Sequence, residues 1–295
     1  MNFQKTLSDK INEIETIIES FLPEESGFTA TVAKAMNYSI RAGGKRLRPM
    51  LMQETYRLFG GDEEVIRPFM AAMEMIHTHS LIHDDLPAID NDDYRRGHLT
   101  THKVFGEAMG ILSGDALLNY AYEVMLRAAN LTVHTDRVLL AMKVMAEKTG
   151  MYGMLGGQTV DVENDGKPLD RALLDYIYEN KTSALIEAAM MTGAILAGAE
   201  DSEVALIEKA AKNIGIAFQI QDDVLDVIST DEELGKPVHS DEKNHKVTYV
   251  TLLGLEAASK EVKRRSDDAL LVFESLKGEN PFLEELIRSL INRRK

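Results

Sequence analysis

The chain has 295 residues, 44% of them hydrophobic and 6% aromatic, with 15 methionines, no cysteine, no tryptophan and a formal net charge of −15. Such acidity argues against general nucleic-acid binding and against stable adhesion to anionic membranes, both of which need a basic footprint. The missing cysteines exclude a disulfide framework, a thiolate zinc site and a thiol nucleophile.

Apolar residues recur at helical spacing from end to end. They predict helices over 5–22, 28–41, 48–59, 63–84, 101–129, 136–149, 171–198, 202–227, 247–256 and 258–275, with a shorter one over 281–292. Glycines and prolines punctuate the series at Pro23, Gly43-Gly44, Gly60-Gly61, Gly97, Gly150, Gly166 to Pro168, Gly235 to Pro237 and Gly278. The first helix sets Ile11, Ile14, Ile18 and Phe21 on one face of a polar, acidic segment. It lacks the apolar centre of a signal peptide, and no apolar run reaches the length of a membrane span. A cytoplasmic location is therefore expected. Alternating strand patterns with hairpin turns are missing, and no linker, repeat or shift in composition divides the chain. The expectation is one all-α domain over 1–295. Thr182 to Ala199 is almost continuously apolar or small, as in a buried central helix or, as second choice, a subunit contact.

The chemistry lies in three places. Gly43-Gly44-Lys45-Arg46-Leu47-Arg48-Pro49 is a turn with three cations running into a helix. Its glycines permit close backbone approach, and its Lys and Arg side chains suit a diphosphate. Asp84-Asp85-Leu86-Pro87-Ala88-Ile89-Asp90 ends an apolar helix and is followed by Arg95-Arg96. On a straight helix Asp84 and Asp90 would face different ways, but Pro87 ends the helix, and the loop can return Asp90 to Asp84. Gln221-Asp222-Asp223-Val224-Leu225-Asp226 is the second acidic cluster. Asp222 and Asp226 share a helix face, where their repulsion becomes coordination if a divalent cation sits between them. Asp223 falls to the side, supporting them or solvated, and the Gln219 amide can reach a phosphate or a carboxylate. One acidic run is ordinarily a solvated helix end; two, each closing an apolar stretch, point to Mg²⁺ and chemistry on a diphosphate. His79 and His83 beside Asp84 raise a zinc site, and Glu74-Met75-Ile76-His77 and Glu242-Lys243-Asn244-His245 raise a di-iron bundle. Either metal leaves the aspartate pairs and the basic clusters without a role.

Taken in order, these motifs resemble the trans-isoprenyl diphosphate synthases, most closely bacterial farnesyl diphosphate synthases, with geranylgeranyl diphosphate synthases second. Gly156-Gly157-Gln158, Lys181-Thr182, Gln219 to Asp223, Gly235-Lys236-Pro237 and Ser240-Asp241 extend the resemblance over nearly the whole chain. It implies an isoprenoid-synthase-type helical bundle around a central cavity, a homodimer, and condensation of isopentenyl diphosphate with an allylic diphosphate. By position, Asp84, Asp90, Asp222 and Asp226 would hold three Mg²⁺ ions, with Asp85 and Asp223 completing the catalytic motifs. Arg95, Lys181, Gln219 and Lys236 would contact the allylic diphosphate. Lys45, Arg48, His77 and Arg96 would hold isopentenyl diphosphate, and Thr182 would line the allylic chain and steady developing positive charge. The segment from Gly235 to Lys246 would act as a lid, although His239 stands where related chains commonly have glycine. His79 and Ser80 lie where the family sets product length. Farnesyl synthases usually carry tyrosine at the His79 position, and the smaller imidazole keeps C20 as the alternative; a C15 product is expected because the Pro87-Ala88 insertion and the overall match resemble that subgroup. A terpene cyclase or a non-catalytic partner subunit fits less well, because both acidic clusters and the basic turn are present.

Overall fold

A computed structural model describes residues 2–228 and 247–291. Helices α1 (Phe3–Ser20), α2 (Ala30–Arg41), α3 (Leu47–Leu58) and α4 (Ile66–Asp84) come first. After a short hairpin follow α5 (Thr101–Phe105), α6 (Glu107–Leu126), α7 (Thr135–Thr149), α8 (Met154–Glu163) and α9 (Arg171–Ile177). A π-helical turn, Tyr178–Ser183, joins α9 to α10 (Ala184–Ala197). Then come α11 (Asp201–Ile228), α12 (Tyr249–Leu253), α13 (Leu255–Ser275) and α14 (Pro281–Ile291). The all-α expectation is met.

Helix α10 is the axis of the bundle. Every residue from Ala184 to Leu196 is buried within the single chain, as its all-round apolar surface requires. It packs on α3, α7 and α11, while α4 lies against α6 and α11 against α13. The subunit-contact reading of this segment therefore gives way to the central-helix one.

Four departures from the periodicity matter. The stretch 101–129 is broken because Gly106 takes φ +87°, which ends α5 and lets the chain re-enter as α6. The stretch 171–198 is interrupted by the π turn. Helix α8 was not foreseen, since Gly156-Gly157 weakens its helical signal. The expectation of no strands also needs correction: Tyr94–Arg95 pairs antiparallel with His98–Leu99. Arg96 and Gly97 turn that hairpin with φ of 54° and 81°, the left-handed pair that a tight two-residue turn needs. Among the described residues no helix is long and apolar enough to cross a membrane.

Candidate active site

The basic turn divides its cations by backbone geometry. Arg46 sits at φ 46°, which points its side chain inward, where it is 2% exposed. There it donates to Glu15 at 2.7 and 3.1 Å, to Glu74 at 2.6 Å and to the Ile40 carbonyl at 2.6 Å. Arg46, the third cation of the turn, is thus committed to the core. Lys45 is exposed and Arg48 half-buried. Arg48 Nη1 lies 3.3 Å from His77 Nε2. Guanidinium cannot accept, so Nε2 is the acceptor and a neutral His77 carries its proton on Nδ1. Burial, then Arg48, Arg96, Arg95 and Arg46, hold the His77 pKa well below its ordinary value. Burial also lowers Arg48 to about 10, with Glu74 opposing, so it stays cationic at neutral pH. The Arg96 guanidinium lies on Gly44, within 2.7 Å of where a Cβ would stand, and donates to the Gly43 carbonyl. Arg48, His77 and Arg96 thus gather at one corner, with Lys45 next to Gly44 in sequence.

The first acidic cluster closes on itself. Asp84 ends α4, and after Pro87 the Asp90 N–H donates to the Asp84 carbonyl at 2.9 Å. Burial raises the Asp84 pKa; Lys181 opposes this and Asp90 adds to it. Gln158 of α8 donates to Asp84 Oδ1 at 2.6 Å. Asp85 turns the other way, 3% exposed, and takes Arg95 Nε and Nη2 at 2.5 Å. Burial still holds Asp85 at about 6 despite Arg95. Arg95, expected on the allylic substrate, is thus paired with Asp85 and lies 3.5 Å from Asp92.

The π turn links this cluster to α11. Its wide turn sets Lys181 and Thr182 side by side: Lys181 donates to Asp161 of α8 at 2.6 Å, and Thr182 Oγ1 donates to Gln219 Oε1 of α11 at 3.0 Å. Burial opposes the Lys181 charge, but Asp161, Asp84 and Asp90 outweigh it and raise its pKa. Gly157 makes the contact possible, because a Cβ there would stand 2.2 Å from the Lys181 nitrogen. Beyond Gln219, Asp222 is half-buried, while Asp223 and Asp226 are 3% and 2% exposed. The solvated alternative for Asp223 is thereby removed. Lys236 and the segment from Gly235 to Lys246 lie outside the described residues, as does the second Glu-x-x-His motif.

The zinc and di-iron readings find no support in the packing. Glu74 is taken by Arg46. His79 Nδ1 and His83 Nε2 meet the carbonyls of Gly114 and Ile111 on α6 at 3.0 and 3.1 Å. Among the described residues no three acidic or imidazole groups converge on one metal position. Gln158 and Asp161 are site residues that had no assigned role; their three-residue spacing on a helix was the available signal. Ser80 is half-buried, with its hydroxyl on the His77 carbonyl at 2.9 Å.

Residues 29–277 match the polyprenyl synthetase family. A dimethylallyltranstransferase of Fischerella ambigua is 44% identical over 97% of this chain and 80% of its own length. A farnesyl diphosphate synthase of Micrococcus luteus is 40% identical over 99% of each chain. A solved geranyltransferase of Helicobacter pylori, complexed with magnesium and isoprenyl diphosphate, superposes with a TM-score of 0.83 at 29% identity, covering 99% of this chain and 97% of that one. The matched stretch takes in both acidic clusters, the basic corner and the π turn between them, and by that extent the chain belongs to the polyprenyl synthetase family.

Proposed function

We propose that the protein is a prenyltransferase that joins isopentenyl diphosphate head-to-tail to dimethylallyl and geranyl diphosphates, giving (2E,6E)-farnesyl diphosphate. One observation carries the reading: Asp84 and Asp90 are drawn together beside Lys181, whose neighbour Thr182 reaches across to Gln219 on the helix of Asp222 and Asp226. The Asp84 carboxylate, whose burial disfavours charge, with Asp90 and one lysine close by, suits a hard divalent cation. Mg²⁺ takes one or two carboxylates and fills its shell with water and substrate phosphate. Asp84 and Asp90 on one side, and Asp222 and Asp226 on the other, would hold the ions; the related structure with magnesium supports three such positions only in kind, not in number. When bound, Mg²⁺ supplies the positive charge that makes a diphosphate a good leaving group.

The chain's own residues do the rest. Lys181 keeps its charge beside the leaving diphosphate and stabilises it as it departs. Lys45, Arg48 and Arg96 hold isopentenyl diphosphate, and His77, neutral among arginines, offers its Nδ1–H. Fixing the second substrate at that corner places its double bond against the allylic carbon, so positioning supplies much of the acceleration. The Thr182 and Gln219 oxygens face the developing cation. No side-chain base is required, because the departed diphosphate accepts the final proton.

His79 forms the floor of the chain-length channel with Ser80 above it, and C15 is the product; the smaller imidazole keeps C20 as the alternative. Dimerisation is supported by α6 and α7, which expose Ile111, Leu112, Leu126, Leu139 and Leu140 at 42–65%. The reading is of a homodimer that works in the cytoplasm. Incubating the enzyme with labelled isopentenyl diphosphate and geranyl diphosphate should give a C15 product that EDTA abolishes. Cyclised product, or no condensation with Mg²⁺ present, would exclude the assignment.

A further inference from the structure

We infer that Asp223 is a positioning residue that sets the π turn against α11, and that it does not ligate metal or substrate. The inference rests on the prenyl-transfer reading for its consequence in catalysis, but its geometry stands apart. Asp223 lies in an acidic cluster, yet its Oδ2 accepts the Tyr178 hydroxyl at 2.7 Å and the Tyr249 backbone N–H at 3.1 Å. Tyr178 opens the π turn that carries Lys181 and Thr182, and Tyr249 opens α12. Four residues earlier on α11, Gln219 accepts the Thr182 hydroxyl at 3.0 Å. Two hydroxyl donors four residues apart on the π turn therefore meet two acceptors four residues apart on α11, with the chains running in opposite directions. Gly215 continues the seam, since a Cβ there would stand 2.4 Å from Ser183 Oγ.

A single such rung would leave the π turn free to pivot; two fix its register. Lys181, with Asp161 and Asp84 on its other side, is thereby held at a set distance from Asp222. The same carboxylate oxygen tethers the start of α12. There Thr248 and Thr251 exchange side-chain and backbone bonds, the Tyr249 hydroxyl donates to Asp175, and its ring lies 5.5 Å from that of Tyr178. One oxygen thus joins three elements.

The Tyr178 and Tyr249 donors meet at Oδ2, where an amide oxygen can accept from both while the charge is gone. D223N separates holding from ligation. We would measure kcat, both KM values, Mg²⁺ dependence and melting temperature for D223N, D223L, Y178F and D222N. D223N should lose less than about tenfold in kcat and keep the wild-type Mg²⁺ dependence, whereas D223L and Y178F should lose about 10- to 100-fold, the cost of an unmade buried hydrogen bond. The KM for isopentenyl diphosphate should stay unchanged in all three. The melting-temperature losses of Y178F and D223L should be sub-additive in the double variant. Loss in D223N equal to that in D222N, with a shifted Mg²⁺ dependence, would overturn the inference, as would a Y178F enzyme of wild-type kcat. Additive thermal losses would overturn it whether or not the wild type condenses its substrates. Wild-type inactivity alone would instead strike at the prenyl-transfer reading.

Discussion

At the scale of single residues, the site depends on which polar groups are already committed. Arg96 is laid on the Gly44 backbone and Arg48 on His77, so the corner proposed for the second diphosphate is assembled in advance. Arg96→Ala should raise the KM for isopentenyl diphosphate about 10- to 100-fold, the range of a lost charge-assisted hydrogen bond, and leave the allylic KM within a few-fold in steady-state assays. His79 is 3% exposed and clasped to α6. His79→Ala should lengthen the product, read by chromatography of the dephosphorylated alcohols. The same imidazole has a pH signature: burial, then His83, lowers its pKa from 6.5 to about 4. Below 6.5 the unfolded chain takes up a proton that the folded one refuses, so this share of stability is complete above 6.5 and is lost as pH falls toward 4. His79→Phe should flatten the fall in melting temperature across that window.

At the scale of elements, the π turn is the joint of the site, and Gly157 is what lets α8 reach it. Gly157→Ala forces a Cβ to 2.2 Å from a backbone nitrogen, and backbone cannot swing aside as a side chain would. A stability loss of about 1–3 kcal/mol is expected from such overpacking, with kcat falling alongside as Lys181 moves; denaturant melts and turnover check both. This joint was not legible in the sequence. A π turn is a change in backbone period, and 171–198 reads as continuous helix because side-chain types do not record one extra residue per turn. By contrast, the return of Asp90 to Asp84 was legible, because Pro87 dictates where α4 must end. The basic turn was half legible: its charges are visible, but the left-handed φ that turns Arg46 inward is not, and the partner Glu74 lies far along the chain. The small hairpin was missed because two residues per strand carry no alternation.

At the scale of the whole molecule, the chain is acidic, yet Arg48 and Arg96 gather beside His77 at the corner proposed for a diphosphate. Among the described residues, no helix covers the outer apolar surface of α6 and α7. Charging it with I111E and L112E together should yield a monomer by analytical ultracentrifugation, since burying paired carboxylates at a symmetric interface is unfavourable. An I111E/L112E chain that remains dimeric would place the interface elsewhere.

The buried Arg46, tied to Glu15, Glu74 and Ile40, has a consequence for anyone wishing to redesign the second-substrate corner. It works as a keystone: Lys45 and Arg48 flank it in sequence, and their direction is inherited from its unusual backbone. Their head groups can be exchanged for others suited to a different acceptor, because the foundation beneath them is set elsewhere. Exchange the keystone for an apolar residue, and the buried Glu74 carboxylate is stranded in the interior at the moment the loop loses its shape.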